Sequence, residues 1–431
     1  MHVLVTGGAG YIGSHVVRAL LRAGHGVVVL DDLSTGHLEL VAANHVELIE
    51  ADVGDPGALR RALRGADAVI HVAGKALAPE SVKDPAPYFL TNVAGPIVML
   101  EALRAARVRR LVFSSTCAVY GVPASLPVRE DCPRRPISPY GSSKLAFEYA
   151  LEAWRAAYGL RALALRYFNV AGASADGDLG ELHEPETHLL PNLLRAAAEG
   201  RPCPVYGTDY PTRDGTAERD YLHVEDLAEA HVRALERLDD LEPGFWTANG
   251  NGNGGCAAGA LNLGTGRGAT VREVLAAVER VVGKPLTVLE HPRREGDPPA
   301  LVADPSRAQA LLGWRARRDL DDMVRSAWRF LREQEPVRAR KKDTQGGGPV
   351  QQQQQAAGRR GRLRFGELAV QAGYVIETDV EKALEIQRHR DGVGESHKLL
   401  GLILLEMGAI SNEQLIATLR RMNDEASARR A

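Results

Sequence analysis

Along the first part of the chain, short runs of apolar and mostly β-branched residues recur, separated by longer stretches in which apolar positions fall every three or four residues. Val3 to Val5, Val27 to Leu30, Val69 to Val72, Leu111 to Phe113 and Leu163 to Leu165 read as strands buried on both faces, because they lack the apolar/polar alternation of a half-exposed strand. Strands alternating with amphipathic helices predict an α/β fold: a Rossmann-type doubly wound parallel sheet. From about Asn169 to Glu335 the pattern loosens and Pro, Gly and charge increase, although Thr270 to Val282 keeps helical spacing. This part is expected to form a smaller substrate-binding lobe interleaved with late strands. Asn249 to Gly255 is too rich in Asn and Gly to pack, so Phe245 to Gly259 is expected to be a surface insertion.

The pattern breaks again at Val337, where Gly346 to Gly348 and the glutamine run Gln351 to Gln355 accompany a dense set of basic residues, Arg338, Arg340, Lys341, Lys342, Arg359, Arg360 and Arg362. A disordered, solvated tether is expected there. Beyond it the sequence repeats at an offset of 35 residues: Gly366, Leu368, Gly373, Val380 and Leu384 recur as Gly401, Ile403, Gly408, Leu415 and Leu419. Two copies of one helical unit are implied, without the Trp and Tyr of tetratricopeptide repeats. The expected domains are therefore 1–336, a linker over 337–362 and a small helical tandem-repeat module over 363–425.

Composition narrows the function classes. With 431 residues, 45% hydrophobic and 25% charged, two or three ordinary globular cores are affordable. A formal net charge of −2 gives no general pull toward nucleic acid or anionic membrane, so no nucleic-acid partner is expected. Cys117, Cys132, Cys203 and Cys256 are widely spaced and form no metal-binding pair, which fits reduced thiols in the cytoplasm. Neither a leader peptide nor an apolar run of about twenty residues is visible, so no membrane span is expected.

The loop Gly7-Gly8-Ala9-Gly10-Tyr11-Ile12-Gly13 follows the first strand and opens a helix through Val16, Val17, Leu20 and Leu21. Glycines let the backbone approach a pyrophosphate while the free N–H groups and positive helix end face the anion. The next strand ends in Asp31, where a carboxylate can accept hydrogen bonds from an adenosine ribose. Asp31 and Asp32 would repel a 2′-phosphate, so NAD is expected rather than NADP. Asp52, followed by Val53, is a candidate adenine contact, with a helix cap as the alternative.

Tyr140 and Lys144 stand four residues apart at the start of a predicted helix and share one face. A nearby ammonium and a nicotinamide cation would favour the phenolate and make Tyr140 a base. Ser114, Ser115 and Thr116 end a strand at the carboxyl edge of the sheet, where ligands bind in such folds. Thr116 can share the substrate's proton with Tyr140.

With these motifs in place, residues 1–334 resemble the extended short-chain dehydrogenase/reductase family, and within it the UDP-glucose 4-epimerases. The resemblance includes His71-Val72-Ala73-Gly74, Glu80-Ser81-Val82, Asn92-Val93, Arg166-Tyr167-Phe168-Asn169, Asp209-Tyr210-Pro211-Thr212, Arg219 to Val224, Asn262 to Gly266 and Arg293 to Asp297. It implies that NAD stays bound through turnover and that hydride passes from sugar C4 to the nicotinamide and back. Tyr140 would take the 4-hydroxyl proton, aided by Thr116 and Lys144. It places Ala73, Asn92, Ser114 and Tyr167 with the glycine loop and the acidic residues around the cofactor. On a UDP-sugar substrate it places Asn169, His188, Leu189, Tyr206, Arg219, Arg294, Asp297 and Leu301, and it implies a homodimer. Lys75 stands one position before the usual cofactor-contacting lysine, where this chain has Ala76. His183 and His188 suggest a metal motif, but Pro185 breaks the helix that a zinc-protease site requires, so a substrate loop and no metal are expected.

Leu301 is neither the bulky aromatic that excludes an N-acetyl group nor a small residue that admits one. UDP-glucose and UDP-galactose are the first expectation, with UDP-N-acetylglucosamine or UDP-glucuronate as alternatives. Cys117 and Ala118 follow Thr116 where dehydratases place an acid pair. A non-catalytic nucleotide sensor is a further reading, which Tyr140, Lys144 and Thr116 together oppose. The tail from Arg364 resembles the tandem motif of the N-terminal domains of type II secretion ATPases, some of which bind cyclic di-GMP. Leu399 stands where the first copy has Arg364, and Met422 where it has Gln387. With half of the phosphate-meeting signature missing, a protein-docking module is expected ahead of a cyclic-dinucleotide site.

Overall fold

A computed structural model describes residues 1–183, 185–246, 259–294, 298–345, 365, 368–392, 400–411, 414–415 and 417–418. Among these, contacts divide the chain into two units, Met1–Gln334 and Glu335–Ala431.

The first unit is built on strands β1 (His2–Thr6), β2 (Gly26–Asp31), β3 (Glu47–Glu50), β4 (Ala68–His71), β5 (Arg110–Thr116) and β6 (Arg161–Tyr167). Seven later strands follow: β7 (Asn169–Ala171), β8 (Cys203–Tyr206), β9 (Glu218–His223), β10 (Ala260–Leu263), β11 (Gly268–Thr270), β12 (Val288–His291) and β13 (Ala300–Leu301). Seven strands make one sheet in the order β10-β6-β5-β4-β1-β2-β3, and every pairing in it is parallel. Alternate residues of each strand serve opposite layers. Val3 and Val5 pack with Val16, Val17 and Leu20 of helix Tyr11–Arg22 and with Leu227 and Leu235 of helix Val224–Arg237. Leu4, Leu111 and Phe113 pack on the other face with Met99 and Leu103 of helix Gly95–Ala106 and Phe147 and Leu151 of helix Pro139–Tyr158. The five strands expected from the apolar runs are all present. β3 and β10 complete the sheet at its two edges; β3 carries glutamate at both ends, and β10 is a short run following the insertion, so neither stands out as an apolar block.

The lobe consists of β9 flanked by β11 and β13, with β7 also pairing β9, and a separate β8–β12 pair. Buried Asp220 on β9 locks the lobe to the main sheet, accepting hydrogen bonds from Thr265 N (2.8 Å), Thr265 Oγ1 (2.6 Å), Gly266 N (3.0 Å) and Ala303 N (3.2 Å). The expected helix at Thr270 runs Val271–Val282, with Thr270 and Glu273 forming a capping box. Most of the expected insertion, residues 247–258, lies outside the described residues.

The continuous helical run Ala86–Ala106 is long and apolar enough by composition to cross a membrane, a feature the sequence reading did not register. Its Met99, Leu100 and Leu103 are nevertheless part of the sheet's own core.

In the second unit, Phe365, Ala369, Val375, Ala383, Leu400, Ile403, Leu404 and Ile410 form a small core. The internal repeat is visible in its backbone. Gly373 N bonds Val370 O and Tyr374 N bonds Ala369 O, while 35 residues later Gly408 N bonds Leu405 O and Ala409 N bonds Leu404 O. Gly373 and Gly408 both take positive φ, +71° and +70°, so each copy ends a helix in the same left-handed glycine cap. The helix Leu320–Gln345 extends past the expected linker start at 337, since Val337 to Gln345 contains neither Gly nor Pro. Residues 346–362 of the expected linker lie outside the described residues.

A buried polar chain ties helix Pro139–Tyr158 to the sheet. Arg166 on β6, fully buried, donates through Nε (2.9 Å) and Nη2 (2.5 Å) to Glu148 of helix Pro139–Tyr158. Glu148 also accepts from Ser115 Oγ on β5 (2.6 Å). Burial works against the Glu148 charge, but Arg166 and Ser115 hold its carboxyl below the ordinary range. Replacing Arg166 with Met strands a buried carboxylate and should cost about 3–5 kcal/mol. Urea denaturation should show a lower midpoint for this variant and partial recovery on adding Glu148→Leu; an unchanged midpoint would contradict a structural role for the pair.

Candidate active site

At the carboxyl ends of the central strands lies a cavity of about 490 Å³, within the usual size range of small-molecule sites. At one end stand Gly7, Gly10, Tyr11, Ile12 and Gly13, with Asp31, Asp32, Asp52 and Val53. The glycine turn fits a pyrophosphate on steric grounds. A Cβ on Gly13 would fall 1.9 Å from Gly7 O, and one on Gly7 would fall 2.5 Å from Ala73 N, so the loop packs too tightly for any other residue. A Cβ on Gly10 would meet only Gly7 O, at 3.4 Å, and no side chain caps the helix that Gly10 opens. The free helix end therefore faces the cavity, as an anion cradle requires. Asp31 is 8% exposed and accepts from Ala9 N and Leu33 N, both 2.9 Å, which fixes its carboxylate at the end of β2. Asp32 is taken by Ser34 N (2.9 Å) and Ser34 Oγ (2.7 Å), and Asp52 accepts from Gly54 N (2.6 Å). Leu30, Ser34, Thr35 and Gly36, which the sequence reading did not single out, complete this end.

The other end brings together Thr116 from the end of β5, Tyr140 and Lys144 from the first turns of helix Pro139–Tyr158, and Tyr167 from the end of β6. Ser138 caps that helix by accepting from Gly141 N (3.2 Å), with Pro139 in the first turn. Ser81 Oγ accepts from Tyr140 N (3.1 Å), and the Tyr140 ring sits edge-on to Tyr88, 6.5 Å between centroids. Lys144 Nζ donates to Ser114 O (3.1 Å) and lies 4.9 Å from the Phe113 ring centre. Burial pushes the Lys144 ammonium down to about 8. Withdrawal from solvent pushes the Tyr140 phenol up to about 12, against a hydrogen bond from Thr116 that lowers it. The supporting Ser81 and Tyr88 contacts lie between segments far apart in sequence, and no local pattern announces them.

Ala73, Asn169, His188 and Leu189 line the cavity, as do Lys75, Ala76 and Cys117. Asn92 and Ser114 do not. Asn92 is buried in a π-helical turn, Leu90–Ala94, where its Oδ1 accepts from Lys75 N (2.8 Å) and its Nδ2 donates to Lys75 O (3.0 Å), so it shapes the wall from behind. Ser114 presents its carbonyl to Lys144 and pairs its hydroxyl with His231 Nε2 at 2.7 Å. The expected substrate set is spread over the lobe. Asn169 is in register with Tyr221, which lines the cavity, and Arg219 is in register with Leu301 two residues earlier on β9. Arg219 donates to Glu218 O and Pro298 O, both 2.7 Å, and its charge reaches the Cys117 thiol. Arg294 stacks 4.1 Å from the centre of the Tyr206 ring. Tyr206, Arg219, Arg294 and Leu301 do not line the cavity, and Asp297 lies outside the described residues.

Residues 3–246 match the model of the NAD dependent epimerase/dehydratase family. Among curated proteins, a UDP-glucose 4-epimerase of Lactobacillus helveticus is 43% identical over 334 residues, covering 77% of this chain and 97% of its own. A solved structure described as UDP-glucose 4-epimerase from Brucella ovis in complex with NAD is 46% identical, with a TM-score of 0.70, covering 76% of this chain and 97% of that one. The Bifidobacterium longum UDP-glucose 4-epimerase, solved in complex with NAD+ and UDP, is 35% identical, with a TM-score of 0.70 over 78% of this chain and 99% of that one. The chain, whose cavity gathers the glycine cradle, the acid closing β2 and the Thr116, Tyr140 and Lys144 cluster, thus belongs to the NAD dependent epimerase/dehydratase family.

Proposed function

We propose that the chain is an NAD-dependent UDP-glucose 4-epimerase, an isomerase that interconverts UDP-glucose and UDP-galactose through a 4-keto intermediate. The observation that carries this reading is the meeting of Thr116, Tyr140 and Lys144, from two elements, in one cavity whose far end is the dinucleotide cradle. Bound NAD supplies the hydride acceptor and later the hydride donor, and its nicotinamide charge favours the Tyr140 phenolate. The chain supplies the proton handling. Tyr140 holds the proton of the sugar 4-hydroxyl, and Thr116 shares it through its own hydroxyl. Lys144, fixed by Ser114 O, adds positive charge beside the phenol. Asn169, His188 and Leu189 hold the substrate from the lobe side, with Arg219 and Arg294 reaching the diphosphate. Leu301 on β13 is the position on which the choice between the unmodified hexoses and an N-acetylated sugar turns, with UDP-glucose and UDP-galactose as the first reading.

The protein acts in the cytoplasm as a homodimer on this reading. Val82, Phe89 and Leu90, on the helical segments before the catalytic helix, and Tyr149 on that helix are exposed apolar side chains suited to contact with a second copy. The module after the linker serves protein docking; Arg364 and Leu399, on which a cyclic-dinucleotide site depends, lie outside the described residues.

Purified protein given UDP-galactose without added NAD should form UDP-glucose, and Tyr140→Phe should lower kcat by about 10²–10⁴-fold. No turnover of either hexose, with activity on an N-acetylated or acidic UDP-sugar instead, would move the substrate assignment and put Leu301 at issue.

The protonation of Lys144 gives a second test. Its folded-state value, about 8, lies below the 10.5 of the free amine, so the unfolded chain binds more protons between these limits and stability rises with pH there. Below about 8 the full cost of burying the ammonium is present. Lys144→Met should therefore lose most activity yet melt higher than the parent at pH 7, with the gain shrinking as pH approaches 10.5. A variant that is both inactive and less stable at pH 7 would contradict the burial cost.

A further inference from the structure

Glu181, His183, Glu186 and His188 converge in the segment leading into helix Leu189–Glu199, and each offers one candidate ligand atom within 4.8 Å of the others. Glu181 Oε1 is approached by two imidazoles through the same ring atom, by His183 Nδ1 at 2.8 Å and by His188 Nδ1. The Glu181 and Glu186 side chains are only 6% and 2% exposed, although they belong to a loop. Glu186 Oε1 accepts from Thr187 N (2.9 Å) and His188 N (3.0 Å) and lies 3.8 Å from His188 Nδ1. Its Oε2 is buried without a hydrogen-bond partner, and the guanidinium of Arg195 stands off at 3.6 Å. A buried carboxylate oxygen left in this state is costly unless a cation completes it.

We propose that Glu181, His183, Glu186 and His188 form a divalent-cation site in the cavity wall, of the imidazole and carboxylate type that takes zinc and its neighbours. Two nitrogens and two oxygens suit a borderline metal such as Zn²⁺ or Co²⁺ better than the all-oxygen shell of Mg²⁺ or Ca²⁺. Ligand bonds of about 2.0–2.2 Å place tetrahedral ligands about 3.3 Å apart, so the present separations close by small side-chain rotations. Pro185 excludes the helix of a zinc-protease motif, but a loop needs no helical spacing to converge four side chains. His183 and His188 line the cavity, as do Leu189, Leu190 and Pro191 just after them. A bound cation would pin this segment and set the position of the wall. The assignment does not depend on which sugar the protein epimerises.

Untagged full-length protein, dialysed against a chelator and then against metal-free buffer, would be titrated with Co²⁺ and followed by visible absorption and equilibrium dialysis. The expected result is one equivalent of Co²⁺ with visible d–d bands, displaced by Zn²⁺. His183→Ala and Glu181→Gln, checked for unchanged melting, should each weaken binding at least about tenfold. No stoichiometric uptake would overturn the proposal, as would uptake unchanged in both variants. An intense near-ultraviolet thiolate band would overturn it too, by placing the metal on cysteine. If a variant melts lower, the parent's stoichiometry and spectrum decide alone.

Discussion

The ion pair between Glu148 and Arg166 is the constraint on which the active site depends. Arg166 sits beside Ser115 in the β5–β6 register, one residue before the Thr116–Tyr167 pair, so the strand that carries the guanidinium also carries a cavity wall. Glu148 lies one helical turn beyond Lys144, on the helix that brings Tyr140 and Lys144 to the cavity. Joining the two through paired hydrogen bonds, with Ser115 as a third member, sets the rotation and depth of that helix against the strand ending in Thr116. The chain continues outward. Arg166 Nη1 reaches Tyr120 OH (2.9 Å), Tyr120 reaches Asn262 Oδ1 (2.7 Å), and Asn262 N reaches the buried carboxylate of Glu130 (2.8 Å). Edge strand β10 is thereby tied to the same network. Two charges removed from water in this way are a poor source of net stability. Their geometry explains their presence better: an apolar contact of equal volume would let the helix slide, whereas paired N–H···O bonds do not.

A second anchor sets where the lobe sits. Asp220 on β9 satisfies its carboxylate with backbone and hydroxyl donors from the segment after β10 and from Ala303, two residues past the end of β13. Arg219 immediately before it and Tyr221 immediately after it project from the opposite face of the strand, and Tyr221 reaches the cavity. The glycine-loop end of the cavity is thus fixed by glycine packing and the lobe by a buried acid, with Thr116, Tyr140 and Lys144 placed by the ion pair.

Much of this was legible in the chain because the signals were local. The glycine loop, the acid closing β2, the Tyr140 and Lys144 spacing and the capped helix at Thr270 are each contained within one element and its flank, and the structure sets the glycine loop, Asp31, Tyr140 and Lys144 around one cavity. The 35-residue repeat was likewise readable, since a glycine recurs at the same offset behind apolar positions in both copies and caps a helix in each. Features built from distant segments were not. Asn92 braces Lys75 from behind the wall and Ser81 holds the Tyr140 backbone; each requires a turn or a chain crossing that no periodicity encodes. The helix running on to Gln345 was missed for another reason: basic and glutamine-rich composition signals a solvated linker, while the same residues have good helix propensity when no glycine intervenes.

Epimerisation by this site requires that hydride leave C4 of the sugar and return to the same carbon without leaving the cavity. UDP-galactose carrying deuterium at C4, incubated with the purified protein and no added cofactor, tests it most directly. The UDP-glucose formed should retain the deuterium at C4. Loss of the label to water would contradict the account, because it would mean that C4 is inverted by proton exchange rather than by hydride held within the site.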